Sequence, residues 1–156
     1  MAIINLKDLA HSNAKGKPIL GLDVGSKTIG LAISDSRWQI ASQLHTIRRV
    51  KFSKDILELQ GIIADLNIGS LVVGMPVNMD GTKGPRAQST QAFSCNVLKS
   101  VDLPLAFWDE RLSTSAVERQ LIDQDMSRAK RANVIDQHAA QYILQGALDR
   151  LQLGWP

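Results

Sequence analysis

Two stretches, Pro18–Val24 (PILGLDV) and Ser70–Val77 (SLVVGMPV), carry apolar residues at successive positions rather than alternate ones. Such a strand is apolar on both faces and has to be covered on both, which is how strands inside a helix-covered sheet read. The segments around them fit that demand. Gly25-Ser26-Lys27 supplies turn chemistry after the first run, and Thr28–Ser34 (TIGLAIS) resumes β-type residues, which predicts a hairpin. A weaker third strand runs through Ala41–Ile47. Phe52, Ile56, Leu59, Ile62, Ile63 and Leu66 then recur at helical spacing. After the second apolar run comes a polar, glycine-rich loop, Asn78–Gly84. Pro85, well placed in a first helical turn, opens a helix to about Val101. Leu105–Asp109 is a further short strand. Two helices close the chain, one through Val117, Leu121 and Ile122, and a long one from Ser127 to about Leu151. The order βββ-α-β-α-β-α-α, behind a polar lead-in, predicts an α/β fold. Its mixed five-stranded sheet, a three-strand antiparallel meander plus two parallel strands, is covered by helices.

The 156 residues contain no internal repeat or linker, so one domain spanning 1–156, with its core at about 18–151, is expected. No apolar run approaches the length of a membrane span, and MAIINLKDLA has none of the features of a signal peptide. A single cysteine, Cys95, excludes an internal disulfide and fits a reducing cytoplasm. The formal charge of +3 permits a polyanionic partner without requiring one.

The chemistry rests on carboxylates. On a helix, Ala129, Ala132, Ala139, Ala140, Ile143 and Ala147 all fall within about 60° of Asp136. The acid therefore sits in a small, apolar stripe of the kind that packs on a sheet, where a carboxylate needs a partner, a hydrogen bond or a metal. A structural arginine would serve as well as an ion. Asp23 lies near the C-terminal end of the first strand, the end of an open α/β sheet where ligands gather. As a bland alternative it caps its own turn. Asp109 and Glu110, followed by Arg111, leave the last strand on the same edge if that strand runs parallel to the first. Three acidic positions from distant parts of the chain would then converge, and Mg²⁺ or Mn²⁺ is the natural counter-charge for such oxygen donors. Asp35 ends the second, antiparallel strand at the opposite edge and reads as structural. His138 falls on the outward face of the last helix, and no His or Cys spacing suggests zinc.

Basic and polar residues cluster on the same edge. Lys27 follows Asp23, Asn78, Lys83 and Arg86 follow the second apolar strand, and Arg111 abuts the acid pair. Arg128, Lys130 and Arg131 open the helix that carries Asp136, where cations oppose the helix dipole unless an anion binds there. Each alone is a solvated charge; together they suggest a nucleic-acid track. Aromatic residues make up only 4% of the chain, too few for single-strand stacking platforms, so duplex or junction backbone is the expected target.

Taken together, GLDVGSKTIGLAISD (Gly21–Asp35), LVVGMPVNMDGTKGPRA (Leu71–Ala87), DERLST (Asp109–Thr114) and SRAKRANVIDQHAAQYIL (Ser127–Leu144) resemble the YqgF/RuvX family. That family is assigned to Holliday-junction resolution and to maturation of the 5′ end of pre-16S rRNA. The resemblance covers Pro18–Leu151 in the family's motif order. It implies an RNase H-like fold, a cytoplasmic location and metal-dependent phosphodiester hydrolysis. By motif, it places the family's acids on Asp23, Glu110 and Asp136, and its polar loop on Asn78, Asp80, Gly81 and Lys83. The basic segment is thinner than the family's lysine-rich versions. Asp23, Glu110 and Asp136, with Asp109 as a further ligand, would hold two Mg²⁺ or Mn²⁺ ions clamping the attacking and leaving oxygens of an in-line displacement. Lys27, Lys83 and Arg111 would hold the scissile phosphate. The implied substrate is pre-rRNA or a four-way DNA junction, and a junction cut symmetrically would favour a homodimer. Two alternatives stand beside this. An actin- or sugar-kinase-like phosphotransferase needs two such domains, and a non-catalytic nucleic-acid-binding module has no need to keep three acids.

Overall fold

The computed structural model describes residues 3–12, 14–78, 80–112 and 128–154, with the side chains of residues 128–137 outside the description. The expected helix through Val117, Leu121 and Ile122 lies outside the described residues. The elements are β1 (Ile3–Ile4), α1 (Leu6–Leu9), β2 (Ile19–Val24), β3 (Thr28–Ser34), β4 (Ala41–Arg48), α2 (Phe52–Asp65), β5 (Ser70–Met75), α3 (Pro85–Leu98), β6 (Leu105–Asp109) and α4 (Arg128–Leu153).

Among the described residues the sheet has six strands rather than the expected five, in the order β1-β6-β5-β2-β3-β4. The extra strand is β1, a two-residue piece of the lead-in paired parallel to β6. The lead-in is therefore part of the fold. Leu6 and Leu9 of α1 are buried against the same core as the last helix, a burial that their isolated pairing in a polar stretch did not advertise. The meander is as expected: β2 pairs antiparallel with β3 and β3 with β4, with a register shift at Leu31/Ala32. β2, β5 and β6 run parallel, so Val24, Met75 and Asp109 all leave the sheet at one edge.

The two apolar faces of β2 and β5 explain the layers. Leu20, Leu22, Val24, Leu71 and Val73 join α2 and α3 residues such as Ile56, Leu59, Phe93 and Val97 in one core. Ile19 and Val72 point the other way, to Ala140, Ile143, Leu144 and Ala147 of α4. The small-residue stripe expected on α4 thus faces the sheet over its described side chains. Close approach depends on glycine: a Cβ on Gly21 would lie 2.8 Å from Leu144 Cβ. The fit is tight enough that truncating the fully buried Leu144 to alanine should cost about 2–5 kcal/mol.

Candidate active site at the carboxyl edge of the sheet

Asp23 and Glu110 meet. Strand alternation puts Gly21 and Asp23 on the α4 face of β2, between the buried Leu20, Leu22 and Val24 that serve the other face. Glu110 follows β6, and its backbone N–H donates to Met75 O at 3.2 Å, which carries the ladder one residue past the strand. Its side chain turns back over β5. A Cβ on Gly74 would lie 2.7 Å from Glu110 Oε1 and 2.5 Å from Ile143 Cδ1, so only glycine leaves room for this carboxyl. There the Glu110 carboxyl is pushed up to about 7, first by burial, then by the charge of Asp23 and by a hydrogen bond between the two acids, with Arg86 opposing. Two half-buried carboxyls thus share one place.

Asp109, adjacent in sequence, has a different fate. Arg111 Nε lies 3.0 Å from each of its oxygens, Nη2 lies 2.6 Å from Oδ2, and the Arg111 backbone N–H donates to Oδ1 at 3.0 Å. These bonds hold its carboxyl below the usual range. Asp109 is thus neutralised by Arg111, and Arg111 is engaged at the surface. Its Nη1 also donates to Asn78 O at 3.3 Å and so ties β6 to the polar loop. That loop folds on itself: Asn78 N donates to Thr82 O, Thr82 N and Oγ1 donate to Asp80 Oδ1, and Gly81 has φ +88°. The Thr82 hydroxyl bond is the main reason the Asp80 carboxyl lies below its ordinary value. Asn78, Lys83 and Arg86 are exposed around it.

The side chain of Asp136, like those of Arg128, Lys130 and Arg131, lies outside the described residues, and so does Ser127. The helix path is described. Leu144 sits over Gly21, and one turn earlier Ala140 sits 3.6 Å from a Cβ built on Gly30, the residue paired with Asp23. Stepping back along α4 therefore moves along β2 toward its carboxyl end. Position 136, a further turn on, continues to that edge, about 6 Å beyond Ala140.

A cavity of about 440 Å³ opens beside Asp23, lined by Lys27, Arg49, Arg86, Ser89 and Thr90 among others. Lys27 and Arg86 were expected at this edge; Arg49 was not. The available signal was topological: with β2, β3 and β4 alternating in direction, whatever follows β4 must return to the Asp23 edge.

Asp35 is at the other edge, as expected. Its Oδ1 accepts from Gln39 N at 2.7 Å and Ile40 N at 3.1 Å, and these backbone bonds hold its carboxyl low. His138 is half-buried. Its ring packs edge-on near Tyr142, with centroids 6.2 Å apart, and Nδ1 is enclosed rather than turned to solvent.

The described acids at the carboxyl edge, Asp23 and Glu110, offer oxygen donors. Among the described residues no group of three His, Cys, Asp or Glu forms a metal cluster, since Asp23 and Glu110 make two. Two carboxyls close enough that one rises to about 7 nevertheless fit a hard divalent cation, which would relieve their repulsion. Among the described residues no helix is long and apolar enough to cross a membrane.

The chain is similar to known proteins over most of its length. A protein from Chelativorans sp. (strain BNC1), named "Putative pre-16S rRNA nuclease", is 52% identical over 97% of this chain and 95% of its own. One of the same name from Rhodospirillum centenum is 54% identical over 99% of this chain and 85% of its own. Among solved structures, "T. thermophilus RuvC in complex with Holliday junction substrate" superposes with a TM-score of 0.53 at 10% identity, covering 83% of this chain and 91% of that one. That likeness shows the RNase H-like fold. The family profile RuvX, described as "Holliday junction resolvase", matches residues 17–150, and the chain therefore belongs to the RuvX family of nucleases.

Proposed function

We propose that this chain is a metal-dependent endonuclease that hydrolyses phosphodiester bonds in structured nucleic acid, and that Asp23, Glu110 and Asp136 form its catalytic centre. The observation that carries the reading is the meeting of Asp23 and Glu110 at the carboxyl edge, where the Glu110 carboxyl rises to about 7. Two carboxyls brought together so that burial and the neighbouring charge push one of them up are an arrangement that favours a functional role. Mg²⁺ or Mn²⁺ bound there supplies Lewis-acid stabilisation of the charge that develops on the phosphoryl group. Asp23 and Glu110 are the first ligands in this reading, Asp136 the third. Asp109, neutralised by Arg111, joins them only if that pair opens.

The remaining residues bind and orient. Lys27 and Arg86 lie around the cavity beside Asp23 and hold phosphate oxygens near the carboxyls. Arg111 fixes the loop that presents Asn78 and Lys83. Arg128, Lys130 and Arg131 extend the track at the start of α4, where the helix dipole adds to their charge.

The substrate proposed first is the 5′ leader of pre-16S rRNA, because relatives more than half identical to the chain carry that name. A four-way DNA junction is the second reading, from the family's description; with it comes a homodimer, which a two-fold junction requires for symmetric cutting. A cytoplasmic, single-domain protein fits both.

Labelled leader RNA and four-way junction, offered side by side with Mn²⁺ and with EDTA, test this. Cleavage of either that EDTA abolishes is the expected result. Cleavage that survives EDTA would overturn the metal reading, and intact substrates in every lane would overturn the nuclease reading.

A further inference from the structure

We propose that Arg49 is a phosphate-positioning residue of this site: its guanidinium locks the turn that follows Asp23 and holds a backbone phosphate neighbouring the scissile one. The inference rests on the nuclease reading above and adds a residue that reading does not use.

The two arginines after β4 behave differently. Arg48 is exposed, whereas Arg49 is half-buried and held at three points. Its backbone N–H donates to Lys27 O at 2.9 Å, extending the β3–β4 ladder past the Thr28–Arg48 pair. Nη1 donates to Gly25 O at 2.5 Å. The guanidinium carbon lies 5.2 Å from the centroid of Phe93, a buried ring that packs edge-on against Phe52 at 5.8 Å. The next residue is pinned as well, since Val50 N donates to Oδ1 of Asp55, which is itself only 4% exposed. An arginine that served only as a solvated surface charge would not be ordered in this way.

What the guanidinium does with the rest of its valence points to an anion. Of its five N–H donors, one goes to Gly25 O. Among the described residues no carboxylate pairs with it. Among the described residues, the cavity it lines carries three cations, Lys27, Arg49 and Arg86, against one acid, Asp23, which also faces Glu110. Cations in excess around one recess favour the entry of an anion. The planar fork of arginine, stacked on an aromatic ring, is the side chain best suited to grip phosphate oxygens. At about 440 Å³ the recess admits more than a lone phosphate group and takes a nucleotide unit of the strand being cut. Because the same guanidinium holds Gly25 O, phosphate binding and the setting of the Asp23–Lys27 turn are one event.

The test uses the full chain and three variants, Arg49→Ala, Arg49→Lys and Phe93→Leu. Binding to labelled leader RNA and four-way junction is measured across a salt series with Ca²⁺ replacing Mn²⁺, and cleavage with Mn²⁺. Arg49→Ala should weaken binding and lower the slope of log Kd against log salt by about one, the mark of one lost phosphate contact. Arg49→Lys should keep the slope, because the charge remains, yet lose about 10-fold in kcat, because the Gly25 bond and the stack are gone. Phe93→Leu should follow Arg49→Lys. An unchanged salt slope in Arg49→Ala, at wild-type kcat in Arg49→Lys, would overturn the proposal. So would a slope unchanged in all variants alongside a lowered melting temperature, which makes Arg49 merely structural. Should the wild type itself bind neither nucleic acid, the nuclease reading falls first and this one with it.

Discussion

The two ends of the β2–β3 hairpin each carry an aspartate, and they are built for opposite purposes. At the Asp35 end the acid and its neighbours have hydrogen-bond partners within the fold. The carboxylate accepts two backbone N–H bonds, Ser34 Oγ accepts from Ile19 N at 2.8 Å, and the buried Trp38 donates from Nε1 to Lys17 O at 2.8 Å. Those partners are strong enough to hold Trp38 at φ +60°, an uncommon conformation for a residue with a side chain. At the Asp23 end the acid faces another acid, the cations face a cavity, and the glycines leave room for a carboxyl instead of filling it. The first end is closed on itself. On the proposed reading the second is completed by ligands that neutralise it, and that contrast, more than the count of acids, marks it as the candidate functional edge.

The largest effect expected from breaking this contrast is catalytic. Asp23→Asn and Glu110→Gln should each reduce cleavage by about 10³-fold or more, as loss of roughly 4 kcal/mol of transition-state stabilisation requires. Single-turnover cleavage of leader RNA and junction with Mn²⁺ checks this. Activity within 10-fold of wild type in either variant would remove that acid from the centre.

Asp136→Asn should lose cleavage to the same extent while leaving the metal-free protein as stable as before, or more so. On the proposed reading, a carboxylate in the alanine stripe beside two others costs stability that the neutral isostere relieves. If Asp136 were half of a structural ion pair, its loss would strand a cation and cost about 3–5 kcal/mol. A melting temperature lowered by many degrees would therefore take Asp136 out of the site.

The crowding of Glu110 also sets a pH dependence. Its ordinary value is 4.5 and its folded value about 7, so between these the folded state binds the extra proton. The stability associated with that proton is fully present below about 4.5 and is lost as pH rises through about 7, by on the order of 2 kcal/mol after solvent screening. Metal-free protein should thus melt lower at pH 8 than at pH 5.5, Mn²⁺ should raise the pH 8 value more than the pH 5.5 value, and Glu110→Gln should flatten the difference. A slope that persists in Glu110→Gln would assign it elsewhere.

Much of this was legible in the chain. The doubly apolar runs of β2 and β5 announced a covered sheet, and the parallel direction of β6 placed Glu110 on the Asp23 edge. The alanine stripe announced which face of α4 meets the sheet. What the chain did not announce was pairwise. Ile3–Ile4 is too short to carry a periodicity, and only its pairing with β6 makes it a strand. Asp109 and Glu110 are alike in sequence, and the direction in which each side chain leaves β6 decides which meets Arg111 and which meets Asp23. Arg49 owes its place to Gly25 and Phe93, which lie 24 residues before and 44 residues after it.

The Asp109–Arg111 pair gives a smaller expected effect. Asp109→Asn releases Arg111 and with it the tether to Asn78 O, so cleavage should fall about 10-fold, mainly through KM, because a positioning contact is lost while the metal ligands remain. A loss as deep as that of Glu110→Gln would instead make Asp109 a ligand in its own right.

The smallest effect should come from Asp35, and its smallness is informative. Asparagine keeps the Oδ1 that accepts from Gln39 N and Ile40 N, so Asp35→Asn preserves the turn and removes only the charge. Cleavage should stay within a few-fold of wild type. The wild-type carboxyl is held below its ordinary value, so its contribution to stability is present above that value and fades as pH falls through the lowered one. Asp35→Asn should therefore soften only the acid limb of the stability curve, and salt should shrink the difference, because the group is exposed. Melting temperatures from pH 2.5 to 7 at low and high salt, with a cleavage assay at neutral pH, measure both halves. A cleavage loss matching that of Asp23→Asn would mean that the two ends of the hairpin are not the separate structural and functional edges that their hydrogen bonds describe.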